Sequence, residues 1–217
     1  MVHLPKIFLL MCVLWIGGVG TVQAASVLSA PKNYETEAKR WNRFADNLYA
    51  LHKKRIAGKS VEIKERMGGY FQKVNFYKEQ SFYDNKTGKL LSLIQWEKRK
   101  SKNIHVIQVF FYDDKGRPSH DYAASFRTDD HDDPATTEIS VFDYPVGLQV
   151  FRQFNASNEI IFEHCEGKWK GKPVTIHLDV IDLEEFRDEP NTIMTTPAYK
   201  ICFGRLPESA ASYLPPR

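Results

Sequence analysis

The sequence predicts an α+β domain: one N-terminal amphipathic helix packed on a curved, mainly antiparallel, multi-stranded sheet. Three observations carry this. Residues 33–57 hold one apolar stripe at spacings of three and four, and from Ser60 onwards the period changes to two. Turn signals then recur between short β-branched and aromatic runs. The best is over residues 104–126, where Ile104 to Tyr112 enter an Asp113-Asp114-Lys115-Gly116 turn and an alternating run leaves it. Aromatics make up 13% of the 217 residues, with 10 Tyr and 14 Phe, a composition suited to sheet faces.

Residues 1–24 read as a signal peptide. Lys6 ends a polar start, Ile7 to Val19 form an apolar core, and Val22-Gln23-Ala24 places small residues for cleavage after Ala24. The apolar core is about 13 residues, short of the roughly 20 that span a bilayer, so no membrane span is expected after cleavage. An exported protein, periplasmic or extracellular, follows. Residues 25–32 are a linker, 33–206 a single α+β domain, and 207–217 a flexible tail rich in proline.

In the helix, Tyr34, Ala38, Trp41, Phe44, Ala45, Leu48 and Leu51 form the stripe. Glu35 and Glu37 open it, and His52, Lys53, Lys54 and Arg55 close it before Gly58, a polarity that matches the helix dipole and suggests a solvated basic end. Val61 to Lys64 then alternate, Met67-Gly68-Gly69-Tyr70 breaks the chain, and strands follow over 71–77 and 90–97 with a turn at 84–89. The basic run Lys98 to Lys102 lacks interleaved aromatics and reads as a solubilising turn.

Residues 104–112 are apolar on both faces, as in a central strand. In 118–126, Tyr122, Ala124 and Phe126 point inward while Ser119, Asp121 and Ser125 point out. Further strands are expected over 138–144, 148–154, 159–165 and 174–180, about eight to ten in all. Residues 167–173 read as a turn, Asp182 with Glu185 as a helix cap, and 199–203 as a short strand.

Three of the turns share a form: Phe82-Tyr83-Asp84 to Gly88-Lys89, Phe111-Tyr112-Asp113 to Gly116-Arg117, and Gln153-Phe154-Asn155 to Asn158-Glu159. Asp or Asn bonds the backbone two residues on, and Gly or Asn accepts positive φ. This aromatic-Asp-x-x-Gly unit resembles the hairpins of MORN-like and YD-type repeat proteins and of exported bacterial proteins built from such hairpins. The resemblance covers residues 82–159 and implies a β-rich surface for binding or envelope structure. The third unit departs from it with Asn158, and the long helix has no counterpart in such arrays.

Without a leader only Cys165 and Cys202 remain, and in an exported chain the pair is expected to form a disulfide. Closing a loop of about 38 residues would be worth roughly 4 kcal/mol on the chain-entropy model. Two buried thiols are the alternative. The loop Asp129-Asp130-His131-Asp132-Asp133 is the candidate metal cluster, by Asp for Ca²⁺ or with His131 for a transition metal, although it lacks EF-hand spacing and a solvated acidic loop explains it. His164-Cys165 with His105 or His177 as base and Asp179 as orienter is a weak nucleophile pattern. Glu163, Glu166 and Asp179 are a candidate carboxylate set.

The net charge of +3 gives no argument for nucleic acid or an anionic membrane. No cofactor is called for. The leading expectation is a non-enzymatic binding or structural module of the cell envelope that engages an envelope protein or ligand. The alternatives are a small secreted hydrolase or metal-assisted enzyme, and an NTF2-like cone holding a small apolar ligand.

Overall fold

The structure, a computed structural model, describes residues 34–70, 73–98, 103–126, 134–187 and 189–217. The leader with Ala24, the linker and the loop carrying Asp129, Asp130, His131, Asp132 and Asp133 fall outside them.

Helix α1 spans Tyr34–Ile56 and buries Phe44, Ala45, Leu48, Leu51 and His52 in one stripe. Lys53, Lys54 and Arg55 occupy its last turn, and Gly58 at φ 69° follows it. Arg55 does more than meet solvent. Its Nη2 donates to the Phe110 carbonyl at 2.9 Å, and its guanidinium lies 4.5 Å over the Phe111 ring.

Nine strands follow: β1 (Val61–Tyr70), β2 (Lys73–Asp84), β3 (Leu90–Glu97), β4 (Ile104–Tyr112), β5 (Pro118–Phe126), β6 (Pro134–Asp143), β7 (Leu148–Phe154), β8 (Ile160–Trp169) and β9 (Lys172–Asp179). Their spatial order is their sequence order and neighbouring pairs are antiparallel, giving an open up-and-down sheet with β1 and β9 at its edges. The class is mixed α+β, mainly sheet. Two short helices, α2 (Val180–Phe186) and α3 (Pro197–Phe203), come after the strands; the cap near Asp182 suggests a helical turn at the first, while the second falls where a strand is expected.

The three related turns keep their expected chemistry. Asp84 N–H donates to Lys89 O at 2.9 Å, Asp113 to Arg117 O at 2.8 Å and Asn155 to Glu159 O at 3.0 Å. Gly88, Gly116 and Asn158 hold positive φ at 69°, 82° and 70°.

Four local expectations need correction. The break at Met67 to Tyr70 is an irregularity within β1, where Gly68 lets the Tyr77 ring approach to 2.5 Å of where a Cβ would stand. β8 and β9 run closer together than the glycines of 167–173 suggest, joined at Lys170 and Gly171 with φ 51° and 76°, the paired left-handed geometry of a tight hairpin. Asp179, not Asp182, caps α2: its carboxylate accepts from the Ile181 and Asp182 amides, and Asp182 reciprocates. Residues 199–203 are helical. Thr196 Oγ1 accepts the Tyr199 amide at 3.2 Å and Pro197 opens the helix, start signals that outrank a short apolar run.

Alternation gives the sheet two faces. On the first, Phe82, Ser92, Val109, Tyr122, Ile139 and Phe154 are paired in one row across β2 to β7, and all are buried. Burying an aromatic or aliphatic side chain of this size stabilises by about 1.5–3 kcal/mol. α1 packs here, with Phe44 edge-on to Tyr122 and His52 Nδ1 2.7 Å from Ser92 Oγ. α3 packs on the same face through a Cys165–Cys202 disulfide with a Cα–Cα distance of 6.0 Å.

Residues 207–217, for which the sequence suggests only a tail, make specific contacts in the structure. Tyr122 OH donates to the Tyr213 carbonyl at 2.9 Å, Ala210 N–H to Asn158 Oδ1 at 2.5 Å, and Arg152 Nη1 to the Pro207 carbonyl at 2.7 Å.

Candidate functional site

The disulfide removes the nucleophile pattern at Cys165, since a bonded sulfur is no thiolate. The proposed orienter Asp179 is occupied as the α2 cap. The carboxylate set also separates. Glu163 faces the core, wholly buried against Arg152, whereas Glu166, three residues along the same strand, points to the opposite face and is exposed. His105 packs on Phe76 and Tyr77 at the β2–β4 end of the sheet. His164 and His177 are brought together as a direct cross-strand pair, rings 5.9 Å apart.

Several buried polar groups of the first face are paired within the fold. Arg152 Nε donates to Glu163 Oε1 at 2.6 Å and Tyr199 OH to Glu163 Oε2 at 2.7 Å. Burial and the Glu163 carboxylate push the Tyr199 hydroxyl well above the ordinary phenol range. His120 stacks on Phe111 at 4.3 Å, and burial with the nearby Arg55 charge lowers it to about 4.

The second face carries a different pattern. Phe142, Phe151, His164 and His177 are successive partners across β6, β7, β8 and β9. Centroids are 5.4 Å from Phe142 to Phe151 and 5.4 Å from Phe151 to His164. Phe162 fills the gap beside them, 5.5 Å from Phe151 and 4.6 Å from His177. These spacings are those of favourable ring pairs. The phenyl rings and His164 remain partly exposed and His177 is exposed, and their ring contacts run among themselves.

The adjacent row crosses β4 to β8 as Phe110, Asp121, Ser140, Gln153 and Phe162, a polar strip between two phenyl rings. Gln153 Nε2 donates to Ser140 Oγ at 3.1 Å. Asp121 is 5% exposed, contrary to the outward, solvated position expected of it, and its Oδ1 has no hydrogen-bond partner. Burial pushes its carboxyl up to about 6, with Glu138 adding to the effect against hydrogen bonds from Gln108 and Ser140. Glu138 is raised by desolvation as well. Further along, desolvation pushes Glu79 up, but bonds from Arg66 at 2.5 Å and Gln95 at 2.9 Å outweigh it and hold this carboxyl below the usual range.

Chemically, the face offers flat ring surface for apolar contact beside a recessed strip of amide, hydroxyl and carboxyl groups. That combination characterises recognition surfaces: area from the rings, orientation from a few fixed polar groups. The sequence signal was present but scattered, because the residues lie on six strands, β4 to β9, and share a face only once the register is known. The metal candidates Asp129, Asp130, His131, Asp132 and Asp133 lie outside the described residues, and among those described no three His, Cys, Asp or Glu side chains are grouped to hold an ion. No described helix is long and apolar enough to cross a membrane. Comparison with protein families, curated proteins and solved structures found no match to this chain.

Proposed function

We propose that this chain is an exported, non-enzymatic binding module whose recognition surface is the second face of the sheet. The observation that carries the reading is the ring ladder Phe142–Phe151–His164–His177 with Phe162, set against the polar strip of Asp121, Ser140 and Gln153. α1, α3 and the C-terminal segment make their contacts with the first face, so the rings of the second contact one another across the strands. A partner with an apolar or ring-bearing surface and hydrogen-bonding groups fits this face, and the leader pattern supports an encounter outside the cytoplasm.

The test compares immobilised wild-type chain with a Phe151→Ala/Phe162→Ala variant for species retained from the exported fraction. Both rings are partly exposed, so the variant should keep its circular dichroism spectrum. The reading expects a retained species that then binds purified wild-type chain saturably and loses that binding in the variant. Equal binding to both chains would remove the second face from recognition.

A further inference from the structure

A second site, independent of that face, lies where α1 meets the C-terminal segment. Arg40, Arg43, Phe44 and Asn47 follow one another at helical spacings of three, one and three and form one wall of a groove. Ala156 of the β7–β8 turn and Leu214, Pro215 and Pro216 form the rest. The groove encloses about 330 Å³, at the lower end of what small-molecule sites occupy. Its lining is apolar apart from the Asn47 amide and the two guanidinium groups.

The walls are held in place by contacts already in the fold. Phe44 is 2% exposed in the core, and Ala156 N–H donates to buried Thr137 Oγ1 at 3.0 Å. The C-terminal wall is tied down by Tyr122 OH on the Tyr213 carbonyl and by Ala210 N–H on Asn158 Oδ1. Little further ordering would be required of the chain when a ligand enters, which favours affinity.

Arg40 and Arg43 are both exposed, and among the described residues neither forms an ion pair or hydrogen bond. Two neighbouring cations beside an apolar trough set the charge of the occupant. Guanidinium groups take carboxylates in bidentate geometry, while the trough takes hydrocarbon.

We propose that this groove binds a single-chain anionic amphiphile, its carboxylate against Arg40 and Arg43 and its alkyl chain along Phe44, Ala156, Leu214 and Pro216. The carboxylate meets guanidinium groups that need not be desolvated in advance, and the chain leaves water for a trough already formed.

Dodecanoate, titrated below its micelle concentration into the folded chain by calorimetry, tests this. The expected result is saturable binding of one dodecanoate per chain, weakened about tenfold or more by Arg40→Ala/Arg43→Ala. Dodecyltrimethylammonium, with the same chain and opposite charge, should fail to bind. Asn47→Trp, which fills the trough, should abolish dodecanoate binding. Because the arginines are exposed, their double variant keeps the test valid if Asn47→Trp misfolds. Absence of saturable binding, equal binding of the cationic amphiphile, or unchanged affinity in the double arginine variant would each overturn the proposal. None of these outcomes bears on Phe151 or Phe162, so the two sites stand or fall separately.

Discussion

Arg152 and Glu163 face each other across β7 and β8 with side-chain exposures of 3% and 0%, joined through Nε at 2.6 Å and through Nη2 at 2.5 Å. Tyr199 of α3, the Pro207 carbonyl and exposed Glu208 join the set. One ion pair thus ties together the sheet, the disulfide-bonded helix and the C-terminal segment. Removing the carboxylate leaves a buried guanidinium with only the solvent-exposed Glu208, 3.5 Å from its Nη1, as counter-charge. Glu163→Ala should cost about 3–5 kcal/mol, read from urea unfolding, and Glu163→Gln less, because the amide oxygen still accepts. An apolar double replacement, Arg152→Met/Glu163→Leu, should recover most of the loss. Equal destabilisation by the double and single variants would show that the charges themselves are not what matters.

The Cys165–Cys202 bond holds α3 onto β8. Mass spectrometry of unreduced protein should show a chain lighter by two hydrogens than the reduced form. Reduction, or Cys165→Ser/Cys202→Ser, should lower the unfolding free energy by about 2–4 kcal/mol. A full-mass chain without reductant would contradict the bond.

Asp121 makes stability depend on pH in a direction unusual for a carboxylate. Its folded value is raised to about 6, so between the unfolded value and 6 the native state holds the extra proton. Its contribution is fully present below about pH 4 and is lost as pH rises through about 6. Asp121→Asn should therefore stabilise the protein by about 1–3 kcal/mol at pH 7 and flatten that part of the profile, measured as Tm against pH. Destabilisation at pH 7 would mean that Gln108 and Ser140 hold the ionised form strongly enough to outweigh its burial.

His120 acts in the opposite sense. Its value is lowered to about 4, so its contribution is present above the unfolded histidine value and lost as pH falls towards 4. His120→Phe keeps the stacking on Phe111 and should remove this acid-side loss. An unchanged slope between pH 6 and pH 4 in this variant would show that His120 does not titrate there.

Local chemistry made much of the fold legible. α1 shows itself through one stripe and matched terminal charges, and β3 to β7 through turns whose Asp, Asn and Gly residues need no tertiary context. α3 was hidden because a run of seven residues cannot separate helix from strand by period, and its deciding features are the Thr196 cap and Pro197. Asp121 was misplaced for another reason. Alternation identified its face correctly, but that face is crowded by Phe110, Gln108, Ser140 and Glu138, and crowding depends on the register of three strands. The ring ladder failed to show in the sequence for the same reason: Phe142, Phe151 and His177 reach the Phe162–His164 pair of β8 only across strands.

The most direct measurement of the second-face reading is site-specific photo-cross-linking. Benzoylphenylalanine would replace Phe151 on the ring ladder or, in a separate chain, Ile181, which is 52% exposed on α2. Each labelled chain would be irradiated in the exported fraction, with and without excess unlabelled wild-type protein. The second-face reading predicts one dominant adduct from position 151, suppressed by the unlabelled competitor and missing from position 181. The same adduct at equal yield from both positions, or an adduct at 151 that the competitor leaves untouched, would contradict it.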